Sequence, residues 1–125
     1  MKKNVIVLGG GGFIGGHLAL RLKNQGHHVR IADIKRHEYF QQADICHEFL
    51  KCDLTDPKYV ELVITEDCDE VYQLAADMGG AGYIFTGNND ANVMFNSSLI
   101  NLNVILIRPL MRRLVIKIEL LSLFV

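Results

Sequence analysis

Val7-Leu8-Gly9-Gly10-Gly11-Gly12-Phe13-Ile14-Gly15 satisfies two glycine patterns at once. Gly10, Gly12 and Gly15 give Gly-x-Gly-x-x-Gly; Gly9, Gly12 and Gly15 give Gly-x-x-Gly-x-x-Gly, with Phe13 and Ile14 at the variable positions before the last glycine. The run Val5 to Leu8 that leads into it is short, continuous and apolar, which reads as a buried parallel strand. Beyond it Ile14, Leu18 and Leu22 recur every four residues with Ala19 beside them, the spacing of a helix laying one face on a sheet. Gly26 ends that helix. The physical demand on such a turn is close approach. A phosphate rests on the amides at a helix N-terminus only if no side chain intervenes, and the last glycine lets helix and strand pack tightly.

Downstream, Val29 and Ile31 alternate with Arg30 and lead to Asp33, a second strand. Phe49 to Cys52 reads as a third. Asp56-Pro57 opens a helix, because Asp is a favoured N-cap and Pro suits the first helical position, and Val60, Val63 and Ile64 form its apolar face. Glu70 to Ala75 reads as a fourth strand, followed by a glycine-rich loop from Asp77 to Gly87 and a longer helix from near Asn89. The alternation β-α-β-β-α-β-α predicts an α/β fold, a Rossmann-type doubly wound and mostly parallel sheet.

Composition agrees with a globular domain: half of the 125 residues are hydrophobic, the formal net charge is −1, and there are 11 glycines against 2 prolines. That balance argues against a disordered tail and against nucleic acid as a partner. Lys2 and Lys3 precede an apolar run, but it breaks into glycines after four residues, too short for a signal peptide core. Cys46, Cys52 and Cys68 are odd in number and lack Cys-x-x-Cys spacing, so neither a disulfide framework nor a zinc site is expected, and a reducing cytoplasm fits. His17, His27, His28, His37 and His47 do not share a helix face at i, i+4 spacing, so no metal site is expected and surface histidines are the default.

Asp33 lies at the end of the second strand, about 20 residues beyond the glycine turn, where an acid binds an adenosine ribose. A carboxylate there accepts from both ribose hydroxyls and repels a 2′-phosphate, so NAD is expected over NADP. Lys35 and Arg36 follow closely and could hold that phosphate, but read first as solvated charges after the strand.

With the glycine turn and Asp33, the stretch Cys52-Asp53-Leu54-Thr55-Asp56 and Leu74-Ala75-Ala76 after the fourth strand resemble the extended short-chain dehydrogenase/reductase family, the NAD-dependent epimerases and dehydratases of nucleotide sugars. Within it, Leu74 to Ile84 (Leu-Ala-Ala-Asp-Met-Gly-Gly-Ala-Gly-Tyr-Ile), Ala32 to Lys35 and Met94 to Ile100 are similar to the GDP-mannose 3,5-epimerase subfamily. The resemblance runs from about Asn4 to Val104 and then fades. It implies that Gly9, Gly12 and Gly15 take the pyrophosphate, with Phe13 and Ile14 between them, and that Asp33 takes the ribose. It implies further that Asp53 accepts from the adenine amine while Leu54 packs on its ring, the alternative for Asp53 being a strand-end acid that caps its own turn. Ala75 and Ala76 would line the nicotinamide-side ribose, and Gly79, Gly80 and Ala81 would lie near a sugar-nucleotide substrate, GDP-mannose by resemblance. The implied reaction passes through transient oxidation of the sugar at C4. Full-length members are expected to be homodimers without a membrane anchor. One departure is Leu8, where the family often has Thr or Ser.

The family draws its general base from Tyr-x-x-x-Lys, yet Tyr39, Tyr59, Tyr72 and Tyr83 are followed four residues later by Ala43, Val63, Ala76 and Gly87. No catalytic residue is therefore assigned. The expected division is residues 1–104 as the NAD-binding portion and 105–125 as a diverged or frame-disturbed apolar tail, with the catalytic half lying elsewhere or lost. Fifteen of the twenty-two residues from Val104 to Val125 are apolar, but charges interrupt them, and crossing a bilayer takes about 20 apolar residues. Ile116 to Leu120 reads as one more strand. Two other readings stay open: a non-catalytic or truncated NAD-binding module, and a fragment of a nucleotide-sugar 4,6-dehydratase or C4-epimerase.

Overall fold

The computed structural model describes residues 2–76, 90–107 and 115–118, the last four and 90–94 by their backbone. The chain runs β1 (Asn4–Leu8), α1 (Phe13–Asn24), β2 (His28–Asp33), α2 (Gln42–Ile45), β3 (Glu48–Lys51), α3 (Pro57–Val63), β4 (Glu70–Gln73), α4 (Asp90–Ile107) and β5 (Val115–Ile118). Five strands form one sheet in the order β3-β2-β1-β4-β5, every neighbouring pair parallel. The chain therefore winds outward from β1 to β3, then returns to the other side of β1 for β4. The crevice beyond the ends of β1 and β4 is the switch point at which such sheets bind ligands.

The two-residue period of β1 divides the core. Val5 and Val7 face α1 and α2 with Ala19, Leu22, Val29, Ile31 and Ile45, while Ile6 and Leu8 face α3 and α4 with Val60, Val63, Ile64, Val71, Ile100, Val104 and Ile107. Helices thus cover both faces, and β1 is buried from Val5 onward, which explains its unbroken apolar run. Lys3 and Glu70 pair at 2.9 Å across the start of β1 and β4.

Most expected elements are present with shifted ends. Asp56 caps α3 through its side chain, which accepts from the Lys58 amide at 3.0 Å, with Pro57 at the first helical position. At the end of α1, Gly26 has φ +92°, its amide donates to Lys23 O at 3.0 Å, and His27 N donates to Leu22 O at 3.2 Å. This is a left-handed glycine stop closed by two reversed hydrogen bonds. The fourth strand ends at Gln73 instead of Ala75 because the Gln73 side chain, fully buried, binds both backbone groups of Ala75 itself. The fifth strand pairs over Val115–Ile118.

Two expectations need correction. Ile14 does not pack on the sheet: it is 50 % exposed, and the buried face of α1 is Gly15, Gly16, Ala19 and Leu22. The first turn sits so close to the strand that only glycine fits beneath it. The second is α2, one helical turn between β2 and β3 whose buried residue is Ile45 and to which Lys23 and Arg36 donate hydrogen bonds, at Ala43 O and Gln42 Oε1. Four residues carry no readable helical period. Among the described residues no helix is long and apolar enough to cross a membrane.

Candidate functional site

Gly9 leaves the end of β1 with φ +86°, and its amide donates to Ala32 O at 2.8 Å, tying the turn to the end of β2. A Cβ on Gly9 would stand 2.7 Å from the Ala75 nitrogen, and one on Gly15 would stand 2.2 Å from the Gly9 oxygen. Both are backbone contacts that cannot yield. Gly12 N donates to Gly9 O at 3.1 Å and Gly16 N to Gly12 O at 2.9 Å, carrying the turn into α1. The helix has Gly12 at its N-cap, no capping side chain and no acid in its first turn. Its free amide end therefore suits an anion. Phe13 and Ile14 stand exposed at this mouth.

Asp33 closes one side. Its Oδ2 accepts from Gly11 N at 2.8 Å and its Oδ1 from Lys35 N at 3.3 Å, so the acid expected at the ribose position is held against the glycine turn. Gly11, a variable position in both glycine patterns, supplies that anchor. Arg36 does not reach back toward Asp33 for a contact: it lies over the Phe49 ring at 5.5 Å and donates to Gln42 Oε1. Beyond β3, Asp53 Oδ1 accepts from the Thr55 amide at 3.0 Å and its hydroxyl at 2.7 Å, so this acid does cap its own turn. Leu54 is 3 % exposed and belongs to the core. Cys52 lies between these acids, and its thiol is pushed up by burial first and then by Asp33 and Asp53. Ala75 and Ala76 lie half-buried at the end of β4. Gly79, Gly80, Ala81 and the rest of the 77–87 loop lie outside the described residues.

Sequence reasoning missed His37, which is no plain surface residue. Its Nδ1 accepts from Tyr39 N at 3.0 Å and Phe40 N at 3.1 Å, and its ring stacks on Phe40 with centroids 4.6 Å apart. The ring also fills the space a Cβ on Gly16 would need. Nε2 is buried with no partner among the described residues. Two backbone donors on Nδ1 require the neutral ring, and burial, then His17, lowers its pKa, with Lys35 acting the same way and Glu38 opposing. His47, though exposed, shares the acceptor role: Val29 N donates to its Nδ1 at 3.0 Å, it stacks on His28 at 4.6 Å, and burial followed by His28 lowers its pKa, with a backbone hydrogen bond to Val29 opposing. Both folded values lie below 6.5, so the unfolded chain takes up these protons first as the pH falls. Their contribution to stability is complete above about 6.5 and is lost progressively below it. Urea midpoints are expected to drop between pH 7.5 and pH 5, and a double His37→Gln, His47→Gln variant should show a flatter profile; an unchanged slope would count against this assignment.

A parallel sheet of order 3-2-1-4-5, a glycine turn at its switch point and an acid ending β2 define a Rossmann-type fold of the dinucleotide-binding class. The chain belongs to the NAD dependent epimerase/dehydratase family, whose model matches residues 5–106. It is 39 % identical over 106 residues to GDP-mannose 3,5-epimerase 1 of Oryza sativa subsp. indica, covering 83 % of this chain and 27 % of that protein. It is 41 % identical over 103 residues to GDP-mannose 3,5-epimerase of Arabidopsis thaliana, covering 81 % and 26 %. Among solved structures, the epimerase Mth375 from Methanothermobacter thermautotrophicus superposes with a TM-score of 0.71 at 27 % identity, covering 89 % of this chain and 33 % of that one. The chain spans about a quarter of the length of the curated relatives it matches.

Proposed function

We propose that this chain is the NAD-binding portion of a nucleotide-sugar epimerase of the GDP-mannose 3,5-epimerase kind. The observation that carries it is the Asp33 carboxylate fixed beside a side-chain-free turn that opens onto an uncapped helix N-terminus. The residues fit the cofactor: the first-turn amides of α1 would receive the pyrophosphate, Asp33 would accept from the adenosine ribose hydroxyls, and the turn at Asp53 and Leu54 would border the adenine. Ala75 and Ala76, small and at the end of β4, would leave room for the nicotinamide-side ribose, with Gly79, Gly80 and Ala81 toward the sugar. NAD, when bound, supplies a hydride acceptor for transient oxidation of the sugar at C4, which acidifies the neighbouring carbon-bound protons. The protein's part is to bind and orient. Phe95, Leu102, Ile105 and Leu106, exposed on α4, support a homodimer, and three free thiols support a cytoplasmic setting.

A second reading is a non-catalytic NAD-binding module; Tyr-x-x-x-Lys does not occur within these 125 residues. Calorimetric titration of the polypeptide with NAD and ADP-ribose tests the cofactor, and incubation with GDP-mannose tests turnover. Binding of both ligands with no epimerised product is the expected result. No binding of either ligand would refute the cofactor reading, and turnover would refute the view that catalytic groups are missing.

A further inference from the structure

Three buried or half-buried amides link α4 to both ends of this site. Asn103, 9 % exposed, donates from Nδ2 to Leu54 O at 3.0 Å and to Thr55 O at 3.1 Å, the turn that Asp53 caps. Gln73, fully buried on β4, donates from Nε2 to Ala75 O at 2.8 Å and accepts at Oε1 from Ala75 N at 3.1 Å. Its second Nε2 hydrogen goes to Asn101 Oδ1 at 2.8 Å. The orientations follow from the partners. Two carbonyls facing Asn103 require its NH2 group, and the Ala75 N–H fixes Oε1 of Gln73, so Nε2 must face Asn101 and Asn101 must present oxygen. One helix thereby holds the turn after β3 and the residues that follow β4, which on the NAD reading would border the two halves of the cofactor.

We propose that Asn103 and Asn101 are positioning residues for the cofactor: Asn103 sets the adenine-side turn at Leu54 and Thr55, and Asn101, through Gln73, sets the nicotinamide-side strand end at Ala75. This rests on the NAD reading above. A core contact that merely glues α4 to the sheet would respond to lost volume; positioning by directed hydrogen bonds responds to which atom is a donor. Exchanging Asn for Asp keeps the shape, replaces the NH2 donor by a second acceptor and adds a negative charge. Asn103→Asp sets a carboxylate against two carbonyls, whereas Asn101→Asp, at a half-exposed site, keeps the acceptor Gln73 needs. The two identical exchanges therefore have opposite consequences.

The test is titration of the full chain with NAD and, as a probe of the adenine half alone, AMP, with amide hydrogen exchange at Thr55 measured alongside. Asn103→Leu is expected to weaken NAD and AMP alike, each by about tenfold, the effect of losing a buried hydrogen bond, and Asn103→Asp to weaken both by more, because it buries a charge against two carbonyls; both are expected to speed exchange at Thr55. Asn101→Leu is expected to weaken NAD by a similar factor and leave AMP unchanged, with Asn101→Asp restoring wild-type affinity. If Asn103→Leu does not fold, Asn103→Ser carries the same expectation. Wild-type affinity in the Asn103 variants, or Asn101→Asp as damaging as Asn101→Leu, overturns the proposal. A wild-type chain that binds no NAD overturns the cofactor reading and the proposal with it; the Thr55 exchange rate in Asn103→Asp then reports only whether Asn103 sets that turn, faster if it does and unchanged if it does not.

Discussion

Replacing Gly15 with Ala is expected to destabilise the chain by about 3 kcal/mol or more, at the upper end of overpacking costs and a large part of the roughly 5 to 15 kcal/mol that holds a domain together. The added methyl would lie 2.2 Å from the Gly9 oxygen, 2.8 Å from its carbonyl carbon and 2.9 Å from the Gly10 Cα. All three atoms are backbone, so α1 must lift away from β1, and the Ala19 and Leu22 contacts with the sheet go with it. The contrast is Gly12, shared by both glycine patterns, where a methyl would find only the Gly9 oxygen at 3.4 Å, an ordinary contact. Gly12→Ala is therefore expected to leave the fold nearly intact while weakening NAD, if, as proposed, the pyrophosphate takes the space there. Urea unfolding followed by circular dichroism separates the two. A Gly15→Ala chain with an unshifted midpoint would show that α1 can move without loss, and a Gly12→Ala chain that binds NAD normally would mean the turn does not receive a phosphate there.

What the residues disclosed follows from how many constraints act on each stretch. Gly9 to Gly15 is readable because close approach excludes every side chain, and Val5 to Leu8 because both sheet faces are covered. Asp56-Pro57 is readable because capping is a local matter, settled within three residues. The packing face of α1 was not readable from spacing alone: Ile14 fits the period, but the nearness of Gly15 to Gly9 turns it outward. Gln73, Asn101 and Asn103 carried no signal, since a polar residue in a strand or helix usually faces water. Only the return of α4 onto the sheet brings Asn103 beside Leu54, 49 positions away. His37 escaped notice for a related reason, as its worth lies in two amides of its own loop and a glycine of another element. Local chemistry and tight sterics show in sequence; buried amides that span elements appear once the chain has folded.

Replacing Asp33 with Ala is expected to lower NAD affinity by about tenfold to a hundredfold, the range for hydrogen bonds to a charged group, and to lower NADP affinity less. The reason is the 2′ position: NAD offers a hydroxyl that the carboxylate accepts from, whereas NADP offers a phosphate that it repels. The Ala variant alone mixes two effects, because Asp33 also receives the Gly11 amide at 2.8 Å and the Lys35 amide at 3.3 Å, so its removal loosens the turn for either cofactor. Asp33→Asn separates them. The amide oxygen can still receive Gly11 N, preserving the turn, while the negative charge is gone. NAD should then lose less than in the Ala variant, and NADP should gain over wild type. The gain should be modest, since Arg36 is engaged by the Phe49 ring and Gln42 and must leave both to meet a phosphate. Parallel titrations of the three chains with both cofactors decide the matter. Equal losses for NAD and NADP in Asp33→Asn would mean that the carboxylate serves only to brace the turn and does not select the cofactor.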